Sequence, residues 1–326
     1  MNALGFSQQG QSHFFAGRLG FAVKVLGGGG LPSHDTRRWQ SGPHLSVSLA
    51  YLDRILDYLD KNNIRMYRMS SDIAPYLTHP ELPQFHRQLE ECAADLAAFG
   101  AKARRLDIRL SLHPSQFVVL NSTDEDIAVK AARDLEAQSA ILDAMGLGDE
   151  AVVVTHVGGL YGDRGAAIGR FASRYAGLGE AAKRRVVLEN DERLFSVADI
   201  LRLHEATGVR LVFDYLHHML NNPGELALRP ALKTCLCTWR GRGRPKIHFS
   251  SPRTEMKEVV RKEGGRKFTE LLPPDYAGHS DYINPFEVAF FIRETTGLEF
   301  DVMLEAKAKD LALLRLREIP AAPPAI

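Results

Sequence analysis

RVVLENDERLFSVADILRLHEATGVRLVFDYLH, running from Arg185 to His217, holds one complete strand, helix and strand repeat. Its first run, RVVLEND, is short and almost continuously apolar, as a strand covered on both faces by helices should be. Ser196 then stands where a helix N-cap stands. SVADILRLHEATG keeps its apolar residues at helical spacing, and Gly208 supplies the stop. A second apolar run, VRLVFDYLH, follows at once. A helix between two such strands returns the chain to the same end of the sheet, so the strands run parallel.

The same alternation extends in both directions. Strand patterns begin at Arg18 (RLGFAVKV), Ile64 (IRMYRMSS), Ile108 (IRLSLHPS), Ala151 (AVVVTHVGG), Arg185, Val209, Lys246 (KIHFSS) and Glu299 (EFDVMLEA), eight in all. Amphipathic stretches separate them, among them SLAYLDRILDYLDKN from Ser48, QFHRQLEECAADLAAFGAKARRL from Gln84 and DEDIAVKAARDLEAQSAILDAMG from Asp124, with Asp124 as N-cap and Gly146 as stop. Eight units without a linker predict an α/β fold, a single-domain (β/α)8 TIM barrel over residues 18–319, with an N-terminal tail at 1–17 and a Pro/Ala tail at 320–326. Long connections follow strands one, two and seven: 26–44, 72–83, and Pro252 to about Tyr282. In such a barrel these lie at the C-terminal rim, where active sites form.

Composition removes several classes. At 45% hydrophobic and 25% charged residues, the 326-residue chain is neither disordered nor fibrous. It has no 18-residue apolar run and no basic, then apolar, leader, so neither a membrane span nor a secretory signal is expected. Cys92, Cys235 and Cys237 form neither a CxxC pair nor an even disulfide set, which fits a reducing, cytoplasmic compartment. With 41 Lys and Arg against 40 Asp and Glu, attraction to phosphate has to come from local clusters.

On this map His113 ends strand three, His156 strand four, Glu189 strand five, and Asp214 with His217 strand six; His248 lies in strand seven, Glu305 ends strand eight, and His279 falls in the loop GHSDY. A lone histidine beside a strand is usually structural, and His13, His34, His44, His79, His86, His204 and His218 are read that way. Eight imidazoles and carboxylates converging on one rim form a ligand set for zinc, manganese or iron, and they are too many for one ion with an open position. Two or three ions clamping an in-line displacement suit phosphodiester hydrolysis. GGGG at Gly27–Gly30 lacks the Lys-Ser/Thr of a phosphate-cradling loop and reads as flexible, so no nucleotide cofactor is expected. WRGRGRPK, from Trp239 to Lys246, reads equally as a solvated loop or as a phosphate-contacting edge built from Arg240, Arg242 and Arg244.

LSLHPSQFVVLNS, VVVTHVGG, VLEND, LVFDYLHH, KIHFSS and MLEAKAKD, in that order along the chain, resemble the UV damage endonucleases. The resemblance covers Arg18 to about Leu316. It implies a TIM barrel related to endonuclease IV that nicks double-stranded DNA immediately 5′ to pyrimidine dimers and six-four photoproducts, leaving a 3′-hydroxyl and a 5′-phosphate. It also implies up to three divalent ions, usually manganese with zinc or magnesium as alternatives, held by His113, His156, Glu189, Asp214, His217, His248, His279 and Glu305. Gln116 and Phe117 would probe the lesion, the latter where many relatives carry Tyr; packing beside Val118, Val119 and Leu120 is the competing reading of Phe117. Lys246 matches a lysine that the family carboxylates, and joins Glu189 and His248 as a catalytic residue. Where relatives often carry Asn in strand one, this chain has Ala22-Val23-Lys24-Val25, and Lys24 is a candidate phosphate contact. An abasic-site endonuclease of the endonuclease IV type is the near alternative. A metal-dependent sugar isomerase and a non-catalytic DNA-binding module are more distant ones.

Overall fold

Residues 15–319 are described, in a computed structural model; His13 and the segment 320–326 lie outside them. Twelve strands occur in chain order: β1 Leu19–Ala22, β2 Met66–Arg68, β3 Arg109–Ser111, β4 Val153–Thr155, β5 Val186–Glu189, β6 Arg210–Asp214, β7 Lys246–Phe249, β8 Pro252–Arg253, β9 Lys257–Glu263, β10 Arg266–Leu272, β11 Asp275–His279 and β12 Asp301–Leu304. Eight of them form one parallel sheet in the order β3-β2-β1-β12-β7-β6-β5-β4. Its two end strands meet as well. Leu112 bridges Val153 in parallel, with Leu112 N donating to Val152 O (2.9 Å) and Val154 N to Leu112 O (3.0 Å), so the sheet curls into a barrel.

Each barrel strand falls inside one of the apolar runs read from sequence. The helices keep their stops and starts. Asp124 accepts from the amides of Asp126 and Ile127 at the head of helix Glu125–Ala144, and Ser196 forms a capping box with Asp199 before helix Val197–Thr207. Gly208, at φ +71°, ends that helix in the left-handed region that only glycine enters without strain. Two expectations change. The stretch from Gln84 is divided into a 3-10 turn at Pro83–Phe85 and helices Gln88–Glu91 and Ala93–Arg105. Buried Gln88 sits at the break, its Nε2 donating to Pro75 O and Phe85 O while Oε1 accepts from Leu45 N, and this ties the preceding loop to the helix wall. The connection after β7 is not a loop but four strands, with β9 and β10 as an antiparallel ribbon and β8 paired to β11 beneath it.

Alternation along the barrel strands stacks the interior in tiers. Down β3 these are His113, Ser111 and Arg109; down β7, His248 and Lys246; down β12, Glu305, Met303 and Asp301. The floor, at the N-terminal end, is closed by Trp239. Its ring packs with Val152, Val154, Val187 and Val212 under Arg210 and Arg109, whose guanidinium carbons lie 4.6 and 5.3 Å from the ring centroid. Asp301 binds Arg109 at 2.8 Å. At the same end Phe15 is buried, 6.4 Å from the rings of Phe249 and Phe291.

Candidate metal centre at the C-terminal rim

The eight sequence-selected residues reach the rim from six strand ends, a short helix and the ribbon stem. Glu189, ending β5, stands at their centre. His248 Nδ1 lies 2.8 Å from its Oε1, His113 Nε2 3.1 Å and His156 Nε2 3.7 Å from its Oε2, and His217 Nδ1 3.8 Å from Oε1. Glu305 extends the cluster, 3.2 Å from His248 Nδ1 and 3.8 Å from His279 Nδ1. Asp214 is fully buried. Its Oδ1 caps helix Tyr215–Leu220 by accepting from His217 N (2.8 Å), while Oδ2 has no partner. Three sets of ligand atoms sit close enough to share an ion: His113, Glu189 and His248; Glu189, Asp214 and His217; Asp214, His248 and Glu305.

Hydrogen bonding fixes which ring nitrogens are bare. His113 Nδ1 must donate to Pro114 O (3.0 Å), because a carbonyl only accepts, so in the neutral ring Nε2 turns a lone pair towards the Glu189 carboxylate. His217 Nδ1 likewise donates to Asn190 O (2.9 Å) and leaves Nε2 free. Backbone carbonyls that set the tautomer in this way are the usual support of metal-binding imidazoles. His248 Nε2 and His156 Nδ1 are buried without partners. Acceptors facing acceptors, beside orphaned buried nitrogen and oxygen atoms, fit divalent cations, and the imidazole and carboxylate donor set suits first-row metals.

The buried charges also shift one another. Burial raises the Asp214 carboxyl well above the usual range; His217 opposes this, and Glu189 and Glu305 reinforce it. Burial would also raise Glu189, but His248 and then His156 hold it well below that range. Burial would lower His217, yet Asp214 and Glu189 push it up to about 9. One tier down, Lys246 is wholly buried and its amine is pushed well below its ordinary value by burial, then by Arg109 and Arg68. Its Nζ donates to Ser111 Oγ (3.2 Å) and has no ion pair among the described residues.

A profile of the UV-endonuclease UvdE family matches residues 45–322, most of the chain. The chain belongs to that family. A UV DNA damage endonuclease of Bacillus velezensis is 35% identical over 279 residues, covering 84% of this chain and 81% of its own, and one from Bacillus mycoides is 33% identical over 82% and 79%. The crystal structure of SacUVDE superposes with a TM-score of 0.75 at 28% identity, over 93% of this chain and 97% of that one. A D-psicose 3-epimerase (TM-score 0.50, 13% identity, 87% and 84% covered) shares the fold alone.

In this UvdE barrel the other candidate residues divide. Gln116 and Phe117 lie on the loop after β3, directly beyond His113, and Phe117 is 79% exposed, so the packing reading of its ring fails. Gln116, His113 and His156 line one cleft of about 440 Å³ with Tyr161 and Asp191. Lys24 is exposed on the loop after β1, at the same end. Arg240, Arg242 and Arg244 are not there. WRGRGRPK precedes β7 and so belongs to the opposite end, where Arg242 O and Arg244 O accept from Arg210 and Arg109 and the Arg244 amide donates to Glu150. The run builds the floor, not the rim, so a phosphate-contacting edge made of Arg240, Arg242 and Arg244 would lie away from the candidate metal centre. His204 Nδ1 donates to Val209 O (2.8 Å), and His34, His44, His79, His86 and His218 stand outside the three ligand sets, as do His156 and His279, which instead approach Glu189 and Glu305.

Two positions that support the site escape a reading of the sequence. Arg68, at the end of β2, hydrogen-bonds and ion-pairs with Glu305. Asn190, wholly buried beside Glu189, accepts from Asp214 N (2.8 Å), donates to Asp214 O (3.1 Å) and receives His217 Nδ1 on its carbonyl. It orients two of the candidate ligands at once. Its only signal is its place in the VLEND block.

Proposed function

We propose that this UvdE-family chain is a metal-dependent endodeoxyribonuclease that hydrolyses the phosphodiester immediately 5′ to UV photoproducts in double-stranded DNA, leaving a 3′-hydroxyl and a 5′-phosphate, and that it works in the cytoplasm with the genome. The observation that carries this reading is the Glu189-centred cluster of eight imidazoles and carboxylates, opening beside Gln116 and Phe117. His113, His156, Glu189, Asp214, His217, His248, His279 and Glu305 would hold up to three divalent ions, most naturally manganese. When bound, such ions supply charge neutralisation and Lewis-acid polarisation of the phosphodiester. The residues of the chain do the rest. Asn190 and Pro114 fix the imidazole tautomers with their carbonyls, Arg68 holds Glu305 in place, and Phe117 offers an unpartnered ring to the gap that opens where a photodimer stacks poorly. Unstacking at such a lesion costs less than the few kcal/mol of an intact step, so deformability becomes the recognition signal. An inserted side chain then offsets the stacking that is lost.

Glu189→Gln tests this reading. On a duplex with one defined photodimer, the wild type should give a single nick at the 5′ side of the dimer. The variant should nick about 100-fold more slowly or not at all and bind less metal by elemental analysis, with an unchanged circular dichroism spectrum. Cleavage of an abasic duplex in preference to the dimer would establish the endonuclease IV type of specificity instead.

A further inference from the structure

Between His248 and His279 the chain leaves the barrel, and the ribbon it builds there takes no part in the candidate metal centre. β9 and β10 pair over seven residues and turn at Gly264 and Gly265, whose φ of +56° and +81° are the left-handed pair that a two-residue hairpin needs. At about 3.4 Å per residue the ribbon is roughly 24 Å long. It grows from the site itself, because in its stem Pro252 of β8 lies opposite His279 of β11. Its side chains are largely in solvent, with Val260 70% and Leu271 55% exposed. A two-stranded ribbon with nothing packed on it is marginal in water.

Alternation sorts its side chains onto two faces. On one face two charge pairs form, Glu263 opposite Arg266 and Arg261 ion-paired with Glu270, while Lys257 faces Leu272. On the other, Lys262 stands directly opposite Lys267, and neither has an ion pair among the described residues. Glu258, the one carboxylate on that face within the paired residues, is four positions down β9, roughly 14 Å away. Like charges directly opposed weaken an antiparallel pair. Protection of open strand edges accounts for lysines on a ribbon, but not for two of them facing each other next to Val260, on a ribbon whose paired residues carry five cations against three carboxylates. Two ammonium groups across one gap make a seat for an anion with several acceptor oxygens.

We propose that the ribbon is a duplex-binding arm, and that Lys262 and Lys267 together hold backbone phosphate of the DNA that flanks the cleavage site. This rests on the endonuclease reading above, which supplies the phosphodiester. The arm contributes affinity without sequence preference, since phosphate contacts position a protein on DNA and do not read bases.

Salt titration tests it. Metal-loaded wild type and the double variant Lys262→Ser/Lys267→Ser are bound to an undamaged 40-base-pair duplex labelled for fluorescence anisotropy, between about 50 and 200 mM salt. Every phosphate that the protein ceases to neutralise lowers the slope of log affinity against log salt by about 0.9, so the double variant should lose about 1.8 and the single variants about half of that. Affinity should then fall about 10-fold less across that range than in the wild type. Val260→Glu, which places a carboxylate two residues from Lys262 on the same face, should weaken binding without removing either lysine. Unchanged slopes in the double variant, with wild type binding DNA normally, overturn the arm and leave the endonuclease reading standing. A wild type with no salt-dependent DNA affinity overturns both.

Discussion

Lys246 sets burial against charge at the scale of one residue. A cationic amine there would lie under a site built for cations, between Arg109 and Arg68, and burial pushes it towards the neutral form. A neutral amine is the form that attacks carbon dioxide, giving a carbamate and releasing one proton, and the product would be an anionic group beneath His248. No carboxylate pairs with the side chain among the described residues, which removes the salt bridge as a competing arrangement. Labelled bicarbonate should therefore give a carbamate carbon resonance in the wild type that disappears in Lys246→Arg, and the variant's metal affinity should fall with it. A wild type that binds its full metal complement without that resonance would falsify the carbamate. His113, Glu189 and their partners are legible in the sequence because imidazoles and carboxylates at strand ends are rare enough to notice. Arg68 and Asn190 are not, since a cation or an amide in a strand carries no signal until its partner across the barrel is known.

Among the elements, the loop after β3 carries the sharpest expectation. Phe117 presents an almost free ring, so Phe117→Ala removes little packing and should change stability by no more than about 0.5 kcal/mol. The double change Gln116→Ala/Phe117→Ala should nonetheless reduce the preference for a dimer-containing duplex over an intact one, measured as the ratio of nicking rates. Retained preference in the double variant would overturn lesion probing by this loop. The eight barrel strands are readable because parallel strands buried on both faces are short apolar runs. The ribbon is not. KEVVRKE and RKFTELL carry their charges in adjacent groups on both faces, and with both faces wet no alternating hydrophobic pattern marks them. Spacing alone makes the helix after β2 too long because Gln88, whose side chain replaces backbone partners, looks in sequence like any polar residue.

For the whole molecule, the barrel has two differently built ends. The floor is held by Asp301, which accepts from Arg18 N (2.8 Å) and pairs with Arg109 where both side chains are essentially without solvent contact. Breaking a buried pair from one side strands the other charge, at a cost of about 3–5 kcal/mol. Asp301→Asn should lower the free energy of unfolding in urea by about that much while the nick position on a dimer duplex stays the same. Composition alone marks the arginines of WRGRGRPK as candidate phosphate contacts; the order of elements, with the run ahead of β7 rather than after it, puts them at the floor. Ligands drawn from so many strands also impose a timetable. His113 and His156 come from the first half of the barrel and the other six from the second, and about 190 residues separate the first ligand from Glu305. At about 5–20 residues per second, a ribosome takes roughly 10–40 s to cover that interval. Until β12 enters the wall the barrel stays open and the set that Asp214 and His248 share with Glu305 is incomplete, so a copy cut short before β12 would lack a part of the candidate centre that no earlier strand supplies.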